Sequence, residues 1–181
     1  MIDKAQDMAT IYHHGQFRRS LPGQEPFPYI IHPAKVVHYL QKYGIDDEEV
    51  LAIGWLHDTL EDTCLTYEHI HATFGSRVAQ GVRLLTRDVD NKTYKERIAA
   101  AERGIQMVKL ADTLHNIKTL EIFSPSGIER KVEDCYNFYL PLAERICPPL
   151  AEKMRLYLRK FLGRESILSE THPSSSLPSL L

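Results

Sequence analysis

Apolar positions recur three and four residues apart along much of the chain, the spacing that gathers them on one face of an α-helix. Met107, Leu110, Ala111, Leu114 and Ile117 form such a stripe within Ile105–Ile122. Val36, Val37 and Leu40 form another, with Pro33 suited to a first helical turn and Gly44 to a stop. Asp46 followed by Glu49 reads as a capping box ahead of Val50-Leu51-Ala52-Ile53. Ser126 with Glu129 reads as a second, ahead of Val132, Tyr136 and Tyr139. No run of strict apolar/polar alternation competes with these. The pattern predicts an all-α fold, a compact multi-helix bundle.

Two internal stretches break the pattern. Ser20–Pro28, SLPGQEPFP, carries three prolines and a glycine and reads as a loop; Thr86–Thr93, TRDVDNKT, is polar and turn-rich. From Gly163 the chain turns serine- and proline-rich, so the expected division is a domain over 1–162 and a disordered tail over 163–181.

Composition narrows the function. With 181 residues the chain suits one domain with a real core. Lys plus Arg total 22 against 24 Asp plus Glu, a net charge of −2 that gives no reason to expect a nucleic-acid duplex or an anionic membrane as partner. Cys64, Cys135 and Cys147 are odd in number and widely spaced, which argues against both a disulfide framework and a thiolate zinc site. Asp3, Lys4, Gln6 and Asp7 leave no apolar signal at the start, and Val50–Leu56, the longest apolar stretch, is far too short to cross a bilayer. The expectation is a cytoplasmic protein, of oligomeric state the sequence does not reveal.

That same apolar stretch carries the strongest chemical signal. Apolar on every face, it reads as a helix buried all round, yet it runs straight into His57, Asp58, Glu61 and Asp62. Carboxylates in apolar surroundings need a partner or a metal. A continuing helix sets Asp58 and Asp62 one turn apart on one face, with His57 about 100° round from Asp58. Taken alone, the segment reads equally well as solvated charge at a helix end. Two further segments shift the balance. His32 lies in Tyr29-Ile30-Ile31-His32-Pro33, and Asp112 lies on the amphipathic stripe of Val108–Asn116, in line with Asn116 and Thr119. Two imidazoles and two aspartates, His32, His57, Asp58 and Asp112, suit Mn²⁺ or Fe²⁺ ahead of Zn²⁺ or Mg²⁺. Such an ion makes bound water a nucleophile and polarises a phosphoryl group, while Glu61 and Asp62 are placed to move protons and orient that water.

These residues, in this order, resemble the HD superfamily of metal-dependent phosphohydrolases, and within it the hydrolase domain of RelA/SpoT alarmone enzymes and the small alarmone hydrolases. The resemblance runs from about Ile2 to Ile146 and rests on HGQFRR (His14–Arg19), PYIIHP (Pro28–Pro33), WLHDTLEDT (Trp55–Thr63), FGSRVAQGVRLLT (Phe74–Thr86) and VKLADTLHNIKTL (Val108–Leu120). It implies an HD-domain bundle and Mn²⁺-dependent removal of the 3′-pyrophosphate of the guanosine alarmones ppGpp and pppGpp, giving GDP or GTP and pyrophosphate. By motif, His32, His57, Asp58 and Asp112 match the metal ligands, and Glu61 and Asp62 the pair that handles water and protons. The same matching makes Arg18 an arginine that stacks on the guanine and Asn116 a nucleotide contact. Lys92 matches a phosphate-facing lysine on a looser alignment, and Arg19 and Thr119 complete the expected substrate contacts.

The chain departs from the family in three places. The Ser20–Phe27 link is long, which bears on where Arg18 sits. Thr113 replaces a common arginine, and Ala99–Ile105 is short. The length beyond the resemblance holds no synthetase domain, so degradation alone is expected. Two rival readings share these motifs: an HD phosphohydrolase acting on another nucleotide, such as the 2′-phosphate of NADPH or a dNTP, and a catalytically silent alarmone-binding module. Glu61 and Asp62 weigh against the silent module, which has no use for a proton-handling pair.

Overall fold

A computed structural model describes the backbone of residues 1–21 and 23–171, with side chains described to Gly163. The architecture is all-α, with no strand among the described residues beyond one isolated bridge. In chain order the helices are α1 (Ile2–Tyr12), α2 (Ile31–Lys42), α3 (Glu48–Leu56), α4 (Thr59–Asp62), α5 (Tyr67–Phe74) and α6 (Ser76–Leu85). They continue as α7 (Asn91–Ala100), α8 (Arg103–Lys118), α9 (Pro125–Asp134), α10 (Leu140–Ile146) and α11 (Pro148–Thr171). A 3-10 turn, Leu120–Ile122, follows α8, and a π-helical turn, Cys135–Tyr139, links α9 to α10.

The apolar stretch behaves as its composition requires. Every residue from Val50 to Leu56 is buried, because α3 is packed between α1, α2, α6 and α8. Helix α8 is the second central element, packed on α2, α3, α6 and α11. It buries Asp112, Thr113 and His115 as well as its apolar stripe, so the line through Asp112 is no solvated face. None of the described helices is long and apolar enough to cross a membrane. Cys64, Cys135 and Cys147 are free thiols.

Helix ends follow local chemistry, with some shifts from the expected positions. Gly44, at φ 82°, closes α2 after its last residue, and the Ile45 N–H returns to the Leu40 carbonyl. An L side chain is strained at that φ, which is why glycine makes the stop. The cap of α3 is Asp47, one residue later than expected, its Oδ1 accepting the Glu49 and Val50 N–H groups at 2.9 and 3.3 Å. Glu49 does not reach back to close a box on Asp46, because Arg77 holds it at 2.7 Å and Asp47 at 2.8 Å. At α9 the cap is Ser124 rather than Ser126, since the fixed φ of Pro125 suits the first helical position and pushes the cap before it. Asp90 caps α7, so Asn91–Thr93, placed in a loop by their polarity, begin a helix.

The Ser20–Pro28 segment, Pro22 lying outside the described residues, is a loop pinched at its base. Phe17 and Pro28 form an antiparallel bridge, with Arg18 N–H to the Phe27 carbonyl at 2.9 Å and Tyr29 N–H to the Gln16 carbonyl at 2.9 Å. Helix α11 crosses the boundary expected at Gly163; residues 172–181, where the rest of the expected tail falls, lie outside the described residues.

Candidate metal centre and cleft

His32 sits in the first turn of α2, His57 and Asp58 in the turn between α3 and α4, and Asp112 in the middle of α8. The packing of α2 and α8 on α3 brings the three segments to one point. His32 Nε2 lies 3.1 Å from Asp112 Oδ1, 3.4 Å from Asp58 Oδ2 and 3.3 Å from His57 Nε2. His57 Nε2 is 3.1 Å from Asp58 Oδ2. His32, His57 and Asp112 are buried, and each offers one donor atom within 4.8 Å of the other two. The side chain of Asp58 is 23% exposed and completes the ring on the solvent side.

One geometric expectation is corrected. His57 and Asp58 do not follow one another around a continuing helix: α3 ends at Leu56, and the two residues form a turn before the single turn of α4. His57 Nδ1 bonds back to the Gly54 carbonyl at 2.8 Å and Thr59 Oγ1 donates to the Leu56 carbonyl at 2.7 Å. Those bonds satisfy the carbonyls freed by the break, and the break lets both side chains face the same point. Asp58 and Asp62 still share a side, because the Asp62 N–H reaches the Asp58 carbonyl at 2.9 Å.

Carboxylate oxygens and imidazole nitrogens crowded at one largely buried point need a shared proton or a cation among them. The electrostatics record that demand. Burial opposes the charged form of His57, but Asp58 and Asp112 overcome it and raise its pKa to about 9. A divalent cation fits the donor set, and His32, His57, Asp58 and Asp112 are the residues that could hold it.

A further ring of side chains holds the four in place. Lys109 Nζ donates to Asp112 Oδ2 at 2.8 Å, and Asn116 Nδ2 donates to Asp112 Oδ1 at 2.7 Å. The Tyr29 hydroxyl donates to Asp58 Oδ2 at 2.6 Å and lies 3.2 Å from Asp62 Oδ2. Burial, and then the neighbouring Asp58, push the Tyr29 hydroxyl pKa up, so it stays a donor. Gln16 Nε2 donates to the Asp62 carbonyl at 2.7 Å, and Gln16 Oε1 lies 2.8 Å from Nδ1 of His13, whose ring lies against Tyr29. Glu61 Oε2 accepts the Arg87 N–H at 2.8 Å. Burial raises the pKa of both Glu61 and Asp62, and the adjacent Asp58 adds to it.

Beside this cluster opens a cleft of about 450 Å³, into which Glu61 and Asp62 project. Its walls carry five cationic side chains, Arg18, Arg19, Arg87, Lys109 and Lys131, and an apolar edge of Phe17, Ile122 and Phe123. Arg18 is fixed by α8, donating to Asn116 Oδ1 at 2.8 Å and lying 3.0 Å from His115 Nδ1. The long loop therefore leaves Arg18 in the cleft, since the Phe17–Pro28 bridge isolates its length from the residues on either side.

The structure brings together His32, His57, Asp58, Asp112, Glu61, Asp62, Arg18, Arg19 and Asn116. It does not bring Lys92, whose side chain is 85% exposed beside Glu96, or Thr119, whose hydroxyl donates to the His115 carbonyl at 3.1 Å. Lys131 and Arg87 stand in the cleft instead. Sequence reasoning passed over Tyr29, Lys109, His115, Arg87 and Lys131. For the first three a signal existed, a polar group inside an otherwise buried motif. For Arg87 and Lys131 none did, because a surface-type charge shows its surroundings only after folding.

The sequence profile of the HD domain family matches residues 5–146. A guanosine-3′,5′-bis(diphosphate) 3′-pyrophosphohydrolase of Borreliella burgdorferi is 36% identical over 157 residues, covering 80% of this chain and 23% of the relative. A GTP pyrophosphokinase of Myxococcus xanthus is 33% identical over 161 residues, covering 81% of this chain and 20% of the relative. The chain thus spans between a fifth and a quarter of these relatives' length. In fold it is similar to the solved structure of a metazoan ortholog of SpoT that hydrolyses ppGpp and plays a role in starvation responses, with a TM-score of 0.76 and 24% identity over 88% of this chain and 94% of that one.

Proposed function

This chain belongs to the HD domain family, and from that premise we propose that it is a metal-dependent phosphohydrolase that removes the 3′-pyrophosphate of guanosine alarmones. One observation carries the reading: His32, His57, Asp58 and Asp112, drawn from two helices and the turn after a third, converge beside Glu61 and Asp62 in a cleft lined with cations. Relatives whose names specify this substrate are 36% identical to the chain over 80% of its length.

A divalent cation at the four ligands supplies Lewis acidity, easing proton loss from water and polarising the phosphoryl group. Mn²⁺ is the ion proposed, on the mixed nitrogen and oxygen donors. Arg18 holds the nucleoside end, its guanidinium edge tied to Asn116 and its planar face free to stack on a base. Lys109, Lys131 and Arg87, which line the same cleft, bind phosphate oxygens. A water oxygen bonds to the phosphorus carried on the ribose 3′-oxygen, and that phosphorus–oxygen bond breaks. Glu61 takes a proton from the water, and the Glu61–Asp62 pair returns one to the leaving 3′-oxygen. GDP or GTP and pyrophosphate leave. Carboxyl groups with raised pKa are suited to this exchange near neutral pH.

Incubating the purified chain with Mn²⁺ and ppGpp, and resolving products by anion-exchange chromatography, tests the proposal. GDP and pyrophosphate in equal amounts support it; intact ppGpp alongside cleaved NADPH or dNTP overturns the substrate and keeps the hydrolase. That second reading has one observation in its favour: Lys92, the expected phosphate contact, stands outside the cleft, and Arg87 and Lys131 stand within it.

A further inference from the structure

We propose that His115 is a positioning residue that fixes the ring of His32 in the tautomer able to bind the cation, and ties that ring to Arg18. The inference rests on the metal site proposed above. It starts from a contact between two rings: His32 Nδ1 and His115 Nδ1 lie 2.7 Å apart, both rings buried and inclined by only 21°. Two imidazole nitrogens at that distance share one proton, and one of them must accept.

Arg18 decides which. Its Nη1 is 3.0 Å from the same His115 Nδ1, and a guanidinium has donors only. His115 Nδ1 is therefore the acceptor, its single lone pair shared between the two donors in a three-centre bond, and its own proton resides on Nε2. The bond to His32 must then be His32 Nδ1–H to His115 Nδ1. This leaves His32 Nε2 bare, and it is the atom that faces Asp112 Oδ1, Asp58 Oδ2 and His57 Nε2. His57 reaches the same state by a different device, its Nδ1–H held by the Gly54 carbonyl. A backbone carbonyl can only accept, whereas His115 needs Arg18 to make it an acceptor.

The consequence is a continuous chain of hydrogen bonds, Arg18 to His115 to His32, from the nucleoside end of the cleft to the metal ligands. The His115 ring is buried, with the ring of Tyr39 6.5 Å away between centroids. Supporting groups of this kind set ring orientation and ligand basicity, and their loss commonly weakens metal binding by about 10- to 100-fold.

The test compares His115→Leu, which fills the space without an acceptor, with His115→Asn, whose amide oxygen restores one near the Nδ1 position. Mn²⁺ affinity is measured by calorimetric titration of the nucleotide-free protein, and thermal unfolding in chelator checks that each variant folds. The expected result is Mn²⁺ binding weakened about 10- to 100-fold in His115→Leu and restored close to the wild-type value in His115→Asn. Equal affinity in His115→Leu and wild type overturns the proposal, as does an Asn variant that binds as weakly as the Leu variant. If Leu at this position prevents folding, the Asn variant against wild type decides alone: near-equal affinity supports the acceptor role, and a Leu-like loss of about 10-fold or more overturns it. Because the readout is metal affinity without nucleotide, failure of the alarmone reading appears separately, as wild-type protein that binds Mn²⁺ and leaves ppGpp intact.

Discussion

Asp58 and Glu61 lie three residues apart on the edge of one cleft, and their substitution separates holding the cation from using it. Asp58→Ala removes a ligand atom and leaves His32 and His57 facing Asp112 alone, so Mn²⁺ binding by calorimetry is expected to be lost. Glu61→Gln keeps the four ligand atoms, so it is expected to bind Mn²⁺ normally while turnover falls about 10²- to 10⁴-fold, the usual worth of a positioned proton acceptor. Lys131 and Lys92 make a second pair. Lys131 lines the cleft and Lys92 stands 85% exposed beside Glu96. Lys131→Ala is therefore expected to raise KM more than Lys92→Ala does, by about 10-fold or more from one lost charge-assisted bond to phosphate. Equal KM values would return Lys92 to the binding site. The imidazoles and carboxylates of the candidate metal site were legible in the sequence because three motifs, matching those of a known family, group them. Lys131 was not, since a lysine carries no mark of the wall it will line.

At the scale of elements, the site depends on how closely α3, α6 and α8 approach. Gly81 of α6 makes the approach possible: a Cβ there would stand 2.4 Å from Ile53 Cδ1 and 2.8 Å from Ile105 Cδ1. Gly81→Ala is expected to destabilise the fold by about 1–3 kcal/mol through overpacking, read as a lowered Tm with chelator present. The tie between α7 and α9 makes a pH prediction. Burial opposes the charge on Asp134, but Lys95 and Asn91 hold its carboxyl below the ordinary range. A carboxyl depressed by folding contributes stability above its unfolded pKa, near 4, and loses it as pH falls. Asp134→Asn is expected to flatten the acid limb of Tm against pH while lowering Tm at neutral pH; an unchanged limb would show the pair contributes nothing. Element ends were less legible than elements. The caps at Asp47 and Ser124 each miss the expected residue by one or two positions, because Arg77 and Pro125 decide between adjacent candidates.

For the whole molecule, a cation at the proposed site would act as a tertiary staple. Its candidate ligands come from the start of α2, the break after α3 and the middle of α8, so binding fastens together helices far apart in the chain. An ion that binds the folded state alone stabilises it by about 2.7 kcal/mol at 100 times its Kd. Tm is thus expected to rise with added Mn²⁺ and to return to the metal-free value with chelator, and both effects are expected to vanish in Asp58→Ala. A Tm indifferent to Mn²⁺ would remove the metal centre from the account.

The amino-acid sequence alone determined that the chain would be helical, that Val50–Leu56 would be buried, and that His32, His57, Asp58 and Asp112 were the side chains to watch. The first two follow from periodicity and composition, local properties of residue type; the four side chains were singled out by their grouping in three motifs and by the family resemblance those motifs carry. The tertiary structure alone decided that the helix breaks between Leu56 and Thr59, so that His57 and Asp58 face one point. It also decided that His115 and Arg18 stand behind His32, and that Lys131 rather than Lys92 lines the cleft. Each of these depends on which distant backbone comes within hydrogen-bond reach, a distance that packing sets and that spacing along the chain does not encode.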